Sequence, residues 1–161
     1  MKISINVIAM LIGFIALIAL VNYLLGFIHW TELVNGTPQT IHLSLDWIFG
    51  KLFYPMAWSM GVPADDVQTA ATIMGKKLTI NEFVAFSDLT HLPAKMSDKA
   101  TLITTFAICG FANFSSVGMQ IGGIGALAPE RRADLAKLGM RALIAGTLAS
   151  YLSATIAGIM M

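Results

Sequence analysis

The residue of this chain that most needs a chemical explanation is Glu82. It lies in the apolar string Thr79-Ile80-Asn81-Glu82-Phe83-Val84-Ala85-Phe86. Two readings account for a carboxylate there. In the first, Thr79 caps a helix and Glu82 reaches back to the Thr79 N–H, as in a capping box. In the second, Glu82 sits at the tip of a re-entrant helical hairpin, where a charge at membrane depth is costly unless it meets a wet cavity or a partner. Its two oxygens can then accept hydrogen bonds from two neighbouring hydroxyls, the arrangement offered by a ribose diol.

A second group follows in Cys109-Gly110-Phe111-Ala112-Asn113-Phe114-Ser115-Ser116. Asn113 and Ser116 are one turn apart, so on a continuous helix they share a face. Such pairs also serve as plain interhelical hydrogen-bonding groups. Here they adjoin Gly110, Gly118, Gly122, Gly123 and Gly125, and glycines in such number weaken a helix. The expectation is a broken helix, and unwound spans are where secondary transporters hold substrate and ions. Ser115 reads as structural. Phe111 is a candidate to lay its ring against a flat base, and facing lipid is its simpler reading. His29, His42 and His91 show no metal-ligand spacing. Gly122-Gly123-Ile124-Gly125 lacks the lysine and hydroxyl residue of a phosphate loop. No acid–base constellation indicates an enzyme.

The elements that must position these residues follow from composition. Hydrophobic residues make up 57% of the 161 and charged residues only 12%, against about 25% charged in ordinary soluble domains. That leaves too little polar surface to coat a globule, so part of the surface faces lipid. A net charge of +1 provides no basic face for nucleic acid. The chain from Ile3 to Ile28 has no charged residue, enough to cross a hydrocarbon core of about 30 Å. This run is too long for a signal-peptide core and reads as a true span. Trp30 closes it at the interface. Ala100 to Pro129 is likewise uncharged.

The expected fold is an all-α integral membrane protein. It has about three transmembrane helices (one broken), an interfacial amphipathic helix and a re-entrant hairpin. Residues 3–30 form a scaffold-type span. Residues 31–60 form an outer loop, with turn chemistry at Asn35-Gly36-Thr37-Pro38, and an interfacial helix that Pro55 kinks or ends. Residues 61–92 form the hairpin, its first helix opening at Asp65-Asp66 and ending near Gly75-Lys76-Lys77. Residues 97–129 form the broken span, capped by Ser97. Residues 130–161 form a turn and the last span. The positive-inside rule puts Lys2 and the basic 131–141 connection in the cytoplasm and the hairpin outside, although Lys76, Lys77, Lys95 and Lys99 then fall on the outer side.

With those strings in place, the sequence resembles the concentrative nucleoside transporter family. The likeness rests on Asn81-Glu82-Phe83-Val84-Ala85-Phe86 and on Cys109 to Ser116, followed by Gly122-Gly123 and Pro129-Glu130-Arg131-Arg132. It covers nearly the whole chain. The resemblance implies a homotrimeric, multi-pass plasma (inner) membrane protein that couples nucleoside uptake to a sodium or proton gradient by alternating access. It implies that Glu82, Asn113 and Ser116 hold the ribose and that Phe111 contacts the nucleoside near its base. It also implies an earlier half, related by inversion, that carries most base contacts and the coupling-ion ligands. This chain then corresponds to the carboxy-terminal portion, working with an N-terminal half or a separate chain that supplies it. The alternative from a different class is a non-transporting, truncated membrane protein that keeps the fold and oligomerises with, or regulates, a full-length relative.

Overall fold

The computed structural model describes residues 2–34 and 37–161. It is mostly helical, with one short sheet. Helix α1 (Lys2–Leu25) is the first long apolar helix. Strands β1 (His29–Val34) and β2 (Thr37–His42) form an antiparallel hairpin. Helix α2 (Leu45–Ser59) leads through a turn to α3 (Val67–Thr79) and α4 (Glu82–Thr90), which form a helical hairpin. Helices α5 (Asp98–Ile108) and α6 (Phe114–Leu127) are the two halves of the broken segment. A 3-10 turn (Pro129–Arg131) opens α7 (Arg132–Met160).

Among the described residues, two helical segments are long and apolar enough to cross a membrane, Ser4–Leu25 and Pro129–Met160. Both present large apolar side chains outward, among them Ile8, Ile12, Leu148 and Leu152. This is the surface expected where lipid or neighbouring membrane helices are the solvent.

Several expectations are corrected. The fold is not all-α, because the stretch read as an outer loop pairs as two strands, Trp30 with Ile41 and Thr31 with Thr40. The β-branched and aromatic residues of that stretch favour a pleated ribbon. Trp30 therefore lies on a strand, its ring edge-on to Trp47 of α2 at 5.0 Å. The expected turn at Asn35-Gly36 and the side chain of Lys2 lie outside the described residues. Helix α2 does not end at Pro55 but runs on to Ser59. The first hairpin helix opens just past Asp65-Asp66, as expected, and at its N-cap position Asp66 makes no capping bond with its side chain. It accepts instead from the Ser97 backbone N–H (3.1 Å) and hydroxyl (2.6 Å), tying the hairpin to the start of α5. Ser97 in turn caps α5 by accepting from the Ala100 N–H at 3.3 Å.

The core lies where α2, α3, α5 and α7 meet, with Phe53, Val67, Met74, Ile103, Ile108, Tyr151 and Ala154 all buried. Helices α2 and α3 cross closely because glycines face each other. A Cβ on Gly75 would stand 3.0 Å from the Gly50 nitrogen and 3.2 Å from the Phe49 carbonyl carbon. Those atoms are backbone and cannot turn aside. The turn before α3 uses Gly61 at φ +89°, a left-handed conformation that suits glycine. We predict that Gly75→Leu forces α2 from α3 and lowers stability by about 1–3 kcal/mol, read as a fall in the thermal midpoint of the detergent-solubilised protein. An unchanged midpoint would show that the crossing is loose.

The chain breaks at residues 109–113, at Gly110 and up to Asn113, inside the stretch expected to be broken. Gly118, Gly122, Gly123 and Gly125 are all inside α6. Positions 118 and 123 face Phe14 and Val7 of α1 at ordinary contact distance, and 125 faces the Arg132 side chain. Packing against α1 offsets the intrinsic cost of helical glycine.

Candidate functional site

The site forms where the hairpin tip meets the break. At the tip, Asn81 is the N-cap of α4, with extended backbone, and its side chain accepts from the Val84 N–H at 2.9 Å. The expected Thr79 capping box is therefore absent. Thr79 is buried and its hydroxyl lies 3.0 Å from both the Asp46 carboxylate and the Gly75 carbonyl. With Asn81 as cap, the Glu82 side chain is free to leave its own backbone and cross to the break.

At the break, Asn113 is not on a helix face shared with Ser116. Its backbone is extended (φ −147°, ψ 164°) and it caps α6, accepting from the Ser116 N–H at 2.7 Å. The residue is 1% exposed. Its amide donates to the Glu82 carboxylate at 2.7 Å. This one contact joins two residues 31 apart in sequence, and an ionised acceptor makes it stronger than a neutral pair. Ser115, fully buried, stands 2.8 Å from the Ile80 carbonyl and 2.8 Å from the Asn113 side-chain oxygen. It thereby fastens the break to the tip. Among the described residues the buried Ser116 hydroxyl has no hydrogen-bond partner.

Phe111 is 72% exposed, at the surface of the break. With Asn113 and Ser116 it lines a cavity of about 820 Å³ that runs along α6 to Leu138 and Gly139 of α7. That volume lies within the range of small-molecule sites. Most of its wall is apolar, and Glu82 reaches it only through Asn113.

Sequence reasoning missed Lys77. It reads as an outer-face charge beside Lys76, but the fold separates the two. Lys76 pairs with Asp88 across the arms of the hairpin. Lys77 is fully buried, and its ammonium has no hydrogen-bond partner among the described residues. Burial disfavours the charged form of Lys77, and the Glu82 carboxylate favours it. A signal was present: positions 73 and 74, one turn back, are Ile and Met, so Lys77 continues the core face of α3.

The profile described as Na+ dependent nucleoside transporter C-terminus matches residues 1–158. An uncharacterized transporter of Bacillus subtilis is 45% identical over 158 residues, covering 98% of this chain and 38% of that protein. The nucleoside permease NupC of Helicobacter pylori is 40% identical, covering 99% and 38%. The sodium/nucleoside cotransporter 1 of Rattus norvegicus is 36% identical, covering 99% and 26%. Among solved structures, a doubly substituted variant of CNTnw in an outward-facing state superposes with a TM-score of 0.83 at 40% identity, covering 99% of this chain and 39% of that one. CNTnw in an inward-facing substrate-bound state gives 0.72 at 41% identity, covering 98% and 36%. The chain thus spans well under half the length of the relatives it matches.

Proposed function

Since the chain belongs to the concentrative nucleoside transporter family, a family of membrane transporters and not of enzymes, we propose that it supplies the ribose-binding wall of a sodium-coupled nucleoside transporter. The observation that carries this reading is the Asn113–Glu82 hydrogen bond at 2.7 Å, which brings the hairpin tip and the helix break to one point. Glu82 accepts from the sugar hydroxyls. The Ser116 hydroxyl and Asn113 complete the polar wall, and Phe111, exposed at the break, meets the nucleoside near its base. The resemblance assigns the coupling ion and most base contacts to an earlier repeat, on this chain's N-terminal side or on a second chain, and assembles the whole as a homotrimer in the plasma (inner) membrane.

In this reading α3 and α4 form a re-entrant hairpin, since 13 and 9 residues are too few to cross a bilayer at about 1.5 Å per residue. Buried inside the protein, such a hairpin can exist at membrane depth. Alternating access is supported by the comparison with CNTnw. The chain matches structures of that protein in both an outward-facing state and an inward-facing, substrate-bound one.

Two neighbouring serines separate binding from packing. In cells that also express a chain carrying the first repeat, Ser116→Ala is expected to reduce uridine uptake about tenfold, the value of about one sugar hydrogen bond. The thermal midpoint is expected to stay where it is. Ser115→Ala should act the other way, lowering stability by about 1–3 kcal/mol through lost buried hydrogen bonds. Equal uptake by Ser116→Ala and the parent would remove Ser116 from the site.

A further inference from the structure

His29 and His42, scattered in sequence, are directly opposite each other at the open end of the β-hairpin. The Leu43 N–H donates to the Ile28 carbonyl at 2.9 Å just beyond them, which makes theirs a non-hydrogen-bonded pair, the kind whose side chains approach most closely. The two rings lie on one face of the ribbon with centroids 5.5 Å apart. Both are exposed. His29 Nδ1 lies 3.2 Å from the Phe27 carbonyl and His42 Nδ1 3.0 Å from the Gly26 carbonyl. A carbonyl only accepts, so each Nδ1 carries the hydrogen. In the neutral rings, each Nε2 is then left with a free lone pair. A backbone carbonyl fixing the far nitrogen is how proteins orient and strengthen imidazole ligands to metals.

We propose that His29 and His42 form a two-imidazole site for a divalent transition metal of the zinc, copper or nickel class, the ions that favour imidazole nitrogen. Water fills the remaining coordination positions. The pair stands between the end of α1 and the start of α2, where the Asn22 side chain already accepts from the Leu45 N–H at 2.8 Å. A metal there staples the scaffold-type helix to the helix that carries α3. This inference does not rest on the transport reading.

The test is Cu²⁺ titration of the purified full chain in detergent, followed by electron paramagnetic resonance. One saturating equivalent with two coupled imidazole nitrogens is expected. His29→Ala and His42→Ala should each lose that signal. His91→Ala should keep it, since His91 stands apart on the helical hairpin, its Nδ1 2.7 Å from the Ser87 carbonyl. Zn²⁺ should raise the thermal midpoint of the parent and leave that of the His29→Ala/His42→Ala double variant unmoved. Because both side chains are at the surface, the variants fold. No saturable site in the parent, or a site that survives the double variant, overturns the proposal.

Discussion

Replacing Glu82 with glutamine is expected to cut uridine uptake by roughly a hundredfold when the chain is expressed together with a first-repeat partner. Glutamine keeps the shape and one acceptor oxygen but removes the charge. A hydrogen bond to a charged group contributes about 1.5–3 kcal/mol. Weakening two of them, one to each sugar hydroxyl, amounts to about 3 kcal/mol, and about 1.4 kcal/mol is tenfold. The loss should be specific for the diol: a 2′,3′-dideoxynucleoside lacks both diol hydroxyls and should be carried almost equally by the variant and its parent. The substitution also removes the charge that favours the buried Lys77 ammonium, so some stability is lost as well. A Glu82→Gln/Lys77→Met double variant separates the effects. Removing the uncompensated cation should restore the thermal midpoint while uptake stays low. If Glu82→Gln transports like the parent, the carboxylate does not hold the sugar.

Asn113→Ala is expected to be the most damaging substitution for stability at the site. The Asn113 side chain donates to Glu82 and, through its oxygen, accepts from the Ser116 N–H and stands within hydrogen-bond distance of the Ser115 hydroxyl. Alanine removes the cap of α6, which contributes about 0.5–2 kcal/mol. It also leaves Glu82 without the amide donor in a half-buried position. Together these amount to about 2–4 kcal/mol. Thermal unfolding in detergent would show the fall, and nucleoside binding to the assembled transporter should drop more than tenfold in parallel. Asn113→Ser, which retains a capping hydroxyl but cannot span to Glu82, should recover much of the stability and little of the binding. If both variants bind like the parent, the bond joining tip and break has no part in recognition.

Much of the architecture was legible because it rests on local chemistry. The uncharged runs of Ile3 to Ile28 and of Ala100 to Pro129 follow from the demand of lipid for apolar side chains. The cap at Ser97 follows from an orphan N–H at a helix start. The two strings around Glu82 and Asn113 identify the family through residue types and order alone, and they marked the carboxylate, the amide and the serine that the fold then brought together.

What the sequence left open depended on partners distant in the chain. Glycine weakens an isolated helix, and a break around Gly110, Asn113 and the glycines that follow is legible in the sequence; its exact place, 109–113, is not, because packing on α1 keeps Gly118 to Gly125 helical. Thr79 and Asn81 both have side chains that can cap. Asp46, 33 residues away from Thr79, lies within hydrogen-bond reach of its hydroxyl, and Asn81 caps α4. Neighbouring lysines look alike in a sequence, yet one meets Asp88 at the surface and the other is enclosed near Glu82. Two histidines 13 residues apart carry no ligand spacing until a strand register sets them opposite each other. Sequence thus determined which polar groups this membrane protein places among apolar ones. Tertiary structure decided which of them meet, because a hydrogen bond needs its partner within about 3 Å and only the packed fold fixes that distance.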